Sequence, residues 1–516
     1  MTAGRPLSRI AAPFRHGVNA WYDREGGGRA TQLFLLLFVA AWTAFQIVAF
    51  ASIDLNPDLI EAYAWSRHPD AGYFKHPPLV GLVTAAWFAV FPAADWAFHL
   101  LAMANAALAL YFTDLIARRT VQGDKRLLVL LLLLLTPFFH FHGQRFSTNQ
   151  LLLSTWPIAT YCFLRAFETR GALWSIAAGM TAGLAMLTKY YSVYLIAALV
   201  LAALSHPARW SYLKSPAPWI SAAVGLALLT PHLIWLRTME FGPFDYAYLV
   251  HGMTTTSALA KAGGYVLGAI GYAAIPCIAY ALAVRPDRTT LRDAFWPADP
   301  DRRMLVVLLA AMLALPPLTA PLIGLQLSSL WTMSAFFLLP IVLLAPSNAV
   351  LPRPRAVAVA MVVAGLTVAA LLAAPVVAWT NHVNGTRDGR AYYRLASAEL
   401  GRQWRLASTQ PLRIVLGGSD VGLATTFYHP DHPDAAYDFN IQLTPWITPE
   451  RIKRDGWAVV CRAEDAVCIS HATRRAAGQP ATRRSEAVLT RRFLGRAGEP
   501  ARFVFIVVPP QPGAAP

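Results

Sequence analysis

Three acids, Asp54, Asp58 and Glu61, fall within eight residues of chain. Tyr63 follows, then Lys75 and His76 directly ahead of Pro77-Pro78. If 58–66 is helical, Asp58 and Glu61 share a face, because residues three apart on a helix are neighbours. Such a carboxylate pair can act as a general base with an orienting partner, or bind a cation. It can equally be a capping box, with Asp58 opening the helix and Glu61 three residues on. The Pro-Pro pair holds the residue before it extended, so Lys75 and His76 leave a stiff turn. Two fixed cations there suit a phosphate; the other reading is Lys75 snorkelling to lipid headgroups.

Other polar groups are spread more thinly. HFHGQRFSTNQ (140–150) holds Arg145 and Asn149. Its His140 and His142, two apart, do not share a helix face and make a poor metal pair. Lys189, followed by Tyr190, lies between two apolar runs. It is either an interfacial anchor or a phosphate ligand aimed into a cavity. Arg237 opens RTMEFGPFDYAYLVHG (237–252), whose aromatics suit a membrane belt or a sugar-stacking surface. A Gly-rich dinucleotide fingerprint, a Walker loop and a Ser nucleophile elbow are all missing.

The elements that must position these groups are apolar. The 516 residues are 56% hydrophobic and 14% charged, where soluble domains hold about 25% charged. That deficit marks a polytopic α-helical membrane protein. A run of about 23 mostly apolar residues, Thr31 to Ile53, is long enough to cross a bilayer. Further windows near 97–117, 127–142, 150–166, 172–188, 190–205, 217–236, 264–284, 304–323, 326–346 and 356–379 bring the expected spans to eleven. The stretch 79–92 is too short to span and reads as interfacial or re-entrant. With residues 1–30 as a cytoplasmic tail, rather than a signal peptide, twenty Lys and Arg fall in inner segments. The outer segments before residue 380 hold six: Arg67, Lys75, Arg145, Lys189, Arg237 and Lys261. This positive-inside bias also accounts for the net charge of +16. The basic residues are scattered, and no recognition motif accompanies them, so nucleic acid is not an expected partner.

Three regions follow: the tail 1–30, a transmembrane domain 31–379 with its first outer loop at 54–96, and 380–516. In the last, long apolar runs stop. RIVLGG (413–418), GWAVVC (456–461) and ARFVFIVVPP (501–510) read as buried strands of a small α/β domain, expected outside the cytoplasm. The tail QPGAAP is expected to be disordered. Cys461 and Cys468, seven apart around an acidic turn, are an expected disulfide in an oxidising compartment. Cys162 and Cys277 lie in apolar spans and read as buried thiols.

EAYAWSRHPDAGYFKHPPL (61–79) resembles the first-loop pattern of lipid-phosphate-sugar-dependent glycosyltransferases, roughly D-E-A-Y-Y-W, then G-Y-F/Y, then H/K-P-P-L. These are the dolichyl-phosphate-mannose–protein mannosyltransferase family and its aminoarabinose transferase relatives. GLAMLTKYYSVYLI (183–196) and HGQRFSTNQLLLSTWPIATYCFLRA (142–166) are similar to further segments of the pattern, and the likeness covers about 30–380. The resemblance implies a GT-C fold, a catalytic first outer loop and often an extracytoplasmic C-terminal domain. It implies a sugar carried on polyprenyl phosphate, an acid that activates an acceptor hydroxyl for inverting attack, and cations that stabilise the departing lipid phosphate.

The sequence departs from the pattern at two places. The Asp expected before Glu61 is Ile60, so Asp58 stands as the nearest base. The second-turn Asp falls on Asn149, which weakens a metal-dependent version; no cofactor is assigned, with a divalent metal left open. Asp58 and Glu61 are therefore the expected catalytic residues. Tyr63, Lys75, His76, Arg145, Asn149, Lys189, Tyr190 and Arg237 are the expected substrate ligands. The expected activity is transfer of a sugar to a lipid or cell-surface glycan, such as lipopolysaccharide, on the outer face of the inner membrane. A protein acceptor and a lipid-sugar flippase are the alternatives.

Overall fold

The computed structural model describes residues 16–20, 29–386, 389–417 and 419–510. The expected tail 1–30 lies largely outside these residues, and the tail 511–516 entirely so. Among the described residues, six helices are long and apolar enough to cross a membrane. They are Arg29–Ala49, Asp95–Ala117, Ala217–Thr238, Thr255–Val284, Pro300–Thr319 and Arg353–Asn384. Thr148–Thr169, Ala172–Thr188 and Val193–Ser205 complete the helical body.

Two expected spans are not continuous helices. The window 127–142 gives the helix Asp124–Leu133 and then a π-turn at Phe138–His142. The window 326–346 gives 3₁₀ turns at Ser329–Ser334 and Phe336–Leu338 before the short helix Leu339–Leu344. Phe138 and Phe336, both fully buried, meet at 5.4 Å between ring centroids. The irregular segments thus pack on each other inside the protein, where non-helical backbone is tolerated in a membrane protein.

Small residues let helices approach closely, as is usual where lipid supplies no hydrophobic drive. A Cβ on Gly179 would come within 2.4 Å of the Ser221 carbonyl oxygen, so only glycine fits where Ala172–Thr188 crosses Ala217–Thr238. Ser221 seals that crossing by donating to the Ser175 carbonyl at 2.8 Å.

The first outer loop forms the helix Pro57–Ser66. Asn56 caps it, its side chain accepting from the Asp58 N–H at 3.1 Å, with Pro57 in the first turn. Asp58 is therefore not the cap, and the capping-box reading fails; the residue sits in the first turn, where the helix dipole favours an acid. After this helix the chain turns at a two-residue bridge between Tyr73 and His76. Pro78 then starts the ten-residue helix Leu79–Phe88.

The C-terminal region is a five-stranded sheet in the order β2-β1-β3-β5-β4. Its strands are β1 Ile414–Leu416, β2 Asp434–Ala436, β3 Trp457–Arg462, β4 Arg483–Phe493 and β5 Arg496–Val508. β1 is parallel to β2 and β3; β5 is antiparallel to β3 and β4. β1, β3 and β5 occupy the runs expected as strands; β2 and β4 were not expected. Cys461 on β3 and Cys468 on the helix Ala466–Ala476 are joined as a disulfide, with Cα atoms 5.8 Å apart.

This domain is seated on the first outer loop. Asp434 accepts from His68 at 2.6 Å and from Arg451 at 3.0 Å, and Trp446 stacks on His68 at 4.6 Å. The Leu55 N–H donates to the Tyr428 hydroxyl at 2.8 Å. Asp54 accepts from the Arg394 N–H at 3.0 Å, and Phe427 packs on Tyr63 at 4.9 Å. Thiol titration of denatured, unreduced protein is expected to find two free thiols, Cys162 and Cys277; four would show that the Cys461–Cys468 bond does not form in the cell.

Candidate active site

Glu61 is buried in the middle of the first-loop helix. Its carboxylate pairs with the Lys75 Nζ at 2.7 Å. The reach of Lys75 is set by the turn it occupies. Tyr73 stacks on Trp65 at 4.8 Å and 7°, and its hydroxyl donates to the Trp65 carbonyl at 3.0 Å. That pins the turn to the helix and aims residue 75 back along it. Burial pushes the Glu61 carboxyl up, and Lys75 pulls it back. Burial works against the Lys75 charge too, but Glu61 outweighs it and holds the ammonium above its usual value.

Asp58, Glu61, Lys75, His76 and Asn149 line one chamber of about 60 Å³, together with Ser147 and Thr148. Asp58 is exposed at its edge. His76 is not the cation that was expected. Burial first, then Lys189, Lys75 and His251, drive its pKa well below the usual value, so the ring is neutral. Lys75 is a cation, but one committed to Glu61.

Lys189 approaches the same chamber from the turn between Ala172–Thr188 and Val193–Ser205. Its Nζ donates to Asn149 Oδ1 at 2.6 Å and lies 3.9 Å from the centre of the Trp331 ring. Among the described residues no carboxylate lies within ion-pair distance of it. Burial lowers its pKa to about 7, with Asp58 acting in the opposite direction. The Asn at position 149, where an acid was expected, is thus the partner of a buried lysine whose charge burial disfavours.

The remaining expected ligands sit elsewhere. Tyr63 faces Phe88 and Phe427, part of the contact with the C-terminal domain. Arg145 lines a separate small cavity beside Asp54 and Asp95. The Tyr190 hydroxyl bonds His232 Nε2 at 3.1 Å and its ring packs on Phe244. Arg237 is exposed at the end of its helix and is not among the chamber's lining residues. Two residues of the site were not found from sequence. Trp331 carries the Lys189 contact. Tyr437, from the C-terminal domain, acts on Glu61; burial first, and then the Glu61 carboxylate, push its phenol upward. Neither carries a motif. As for a metal, among the described residues no three His, Cys, Asp or Glu converge on one point, and Glu61 is already engaged by Lys75.

The helical body, with six helices among the described residues long and apolar enough to cross a membrane, thus carries the carboxylate–lysine chamber and seats a small sheet domain on its first outer loop. The arrangement is similar to that of ArnT from Cupriavidus metallidurans. The apo structure matches with a TM-score of 0.57 at 15% identity, over 92% of this chain and 98% of that one. The structure bound to undecaprenyl phosphate matches with a TM-score of 0.55 at 14% identity, over 94% and 99%. The family model for dolichyl-phosphate-mannose-protein mannosyltransferase matches residues 75–235. The chain thus shares the fold of ArnT and over residues 75–235 is similar to the dolichyl-phosphate-mannose-protein mannosyltransferase family.

Two curated relatives come from Rhizobium johnstonii. The lipopolysaccharide core galacturonosyltransferase RgtB is 27% identical over 302 residues, 54% of this chain and 59% of the relative. The lipid A galacturonosyltransferase RgtD is 26% identical over 204 residues, 39% and 42% respectively. The chain thus spans about half the length of the curated relatives it matches.

Replacing Lys75 by Met strands a buried carboxylate and is expected to cost about 3–5 kcal/mol. Glu61→Gln combined with Lys75→Met is expected to recover part of that loss. A thermal-unfolding cycle in detergent checks this; additive losses would show that the pair is not coupled.

Proposed function

We propose that the chain transfers a sugar from a polyprenyl-phosphate carrier to a lipid or cell-surface glycan on the outer face of the inner membrane. The observation that carries this reading is the chamber itself: an exposed carboxylate and a buried ion pair face one small space, and a buried lysine, with no carboxylate in ion-pair distance among the described residues, bonds Asn149 in its wall. In this reading eleven membrane crossings put the C-terminal domain outside the cytoplasm, where a disulfide is stable.

Asp58, at the chamber's edge, takes the proton of the acceptor hydroxyl. The acceptor oxygen then attacks the anomeric carbon. The bond from that carbon to the phosphate oxygen breaks on the opposite face, so configuration inverts. The electron pair leaves on the lipid phosphate, where Lys189 meets the growing charge. Glu61 holds Lys75 in place rather than acting as a second base. His76, neutral, is left to donate or accept a hydrogen bond. The names of the two Rhizobium relatives make a uronic acid the first sugar to test, and the lipopolysaccharide core and lipid A the first acceptors. A flippase reading has less support, because the groups of the chamber sit in the first loop and at helix ends rather than at breaks in mid-helix.

In a deletion strain, the wild-type gene is expected to restore one sugar on an envelope lipid or glycan. Asp58→Asn is expected to lower that transfer by about a hundredfold or more, the scale of losing a general base. Full restoration by a well-folded Asp58→Asn protein would remove Asp58 from the mechanism. A second measurement reads Lys189. Its charged form, which binds phosphate, predominates below pH about 7. Donor affinity is therefore expected to weaken as pH rises through that value, by about tenfold per pH unit once the amine is neutral. Lys189→Arg, which stays charged, is expected to flatten the profile; an unchanged profile would place the titration elsewhere.

A further inference from the structure

β4 reads RRSEAVLTRRF, and its side chains are exposed or half-exposed at every position except one. The exception is Arg491, 4% exposed. A lone buried side chain on an open strand is normally apolar, since a buried guanidinium needs a partner for its charge. Arg491 has little. One Nη2–H donates to the His382 carbonyl, and the ring of Tyr392 lies 5.7 Å from the guanidinium carbon. Nε and Nη1 have no hydrogen-bond partner, and among the described residues no carboxylate pairs with it.

The backbone is arranged to place this group. The β4–β5 register shifts between Thr490 and Arg492, the kind of irregularity that re-aims a side chain. Opposite the shift stands Gly498, where a Cβ would lie 2.6 Å from Arg491 Nε. Only glycine leaves room for the fork. Arg491 forms part of the wall of a cavity of about 400 Å³. Thr386, whose hydroxyl is also buried without a partner, Arg462, Arg502, Glu464 and Glu499 line it as well; Arg462 is paired with Glu464 at 3.1 Å, which leaves Arg491 and Arg502 as the arginines of the wall with no carboxylate in ion-pair distance among the described residues. On its other side Arg491 borders a larger space of about 710 Å³.

The surroundings indicate what kind of anion this is. His382, whose carbonyl receives Arg491, ends the 32-residue apolar helix Arg353–Asn384. One turn back, Trp379 lies under the Arg496 guanidinium at 5.3 Å. The β4–β5 hairpin tip presents Leu494, 80% exposed. An apolar tip, an aromatic and arginines at the end of a membrane helix mark the level of lipid headgroups.

We propose that Arg491 is the floor of a phosphate site, and that the phosphate is carried by a membrane lipid. The site is separate from the Glu61–Lys75 chamber and does not depend on sugar transfer. Its test uses the delipidated full chain in detergent, titrated with phosphatidic acid, with diacylglycerol of the same acyl chains, and with inorganic phosphate. Phosphatidic acid is expected to bind, diacylglycerol to bind weakly or not at all, and Arg491→Met to weaken phosphatidic acid about tenfold or more, the scale of a charge-assisted hydrogen bond. Arg491→Lys is expected to fall between, keeping the charge without the fork. Inorganic phosphate binding equally well, with the same dependence on Arg491, would keep the anion site and make free phosphate its source. Equal phosphatidic acid binding by wild type and a folded Arg491→Met protein would overturn the proposal, as would equal binding of diacylglycerol. If Arg491→Met does not fold, the rim pair Arg462→Gln/Arg502→Gln replaces it; unchanged binding there would also overturn it.

Discussion

The pairing of Glu61 with Lys75 is the constraint around which the first outer loop is built. An ionised carboxylate in the middle of a buried helix is tolerable only with an opposite charge in contact, because desolvation alone would protonate it. Lys75 lies fourteen residues later and must be brought back to it. The Tyr73–Trp65 stack, the two-residue bridge and Pro77-Pro78 serve that return. So does the burial of Leu59 to Trp65, which leaves the helix nowhere else to sit. With this pair settled, the neighbouring charges divide their roles. His76 cannot also be charged beside two lysines, and Lys189 is left as the cation whose charge is still available.

Much of this was legible in the residues themselves. Apolar length located the helices, and the positions of Asp58, Glu61, Lys75, His76 and Asn149 brought them into one chamber. Which charge pairs with which was not legible. Residue type says that Lys75 is basic; it does not say that Glu61 consumes it. Likewise Lys189 read equally well as an anchor. Hydropathy also cannot separate a straight helix from the π-turn at Phe138–His142 or the 3₁₀ turns after Ser328, since all are buried and apolar. What distinguishes them is packing between segments about two hundred residues apart in the chain.

The C-terminal domain was the least legible part. β1, β3 and β5 show as apolar runs, but β4 has an Arg-Arg pair near each end and no apolar alternation, and becomes a strand by pairing with β5. Asp434, Tyr428, Arg394 and Tyr437 lie in polar stretches with no periodicity, and nothing local ties them to the first loop. Their contacts with Leu55, His68, Asp54 and Glu61 are tertiary, and seat what reads as an appended domain on the loop that carries the site.

That seating has a temporal consequence. The hydrogen bonds from His68 to Asp434 and from Leu55 to Tyr428 join residues 366 and 373 positions apart. Contacts of such separation form late, because the intervening chain must be ordered first. During synthesis the loop bearing Asp58 and Glu61 therefore emerges without the domain that closes over it. The ribosome must add some 370 more residues before Asp434 and Tyr428 exist to hold that loop. The enclosure of this loop is in this sense withheld until the end of the chain has folded, and a truncated product would carry Asp58 and Glu61 without it.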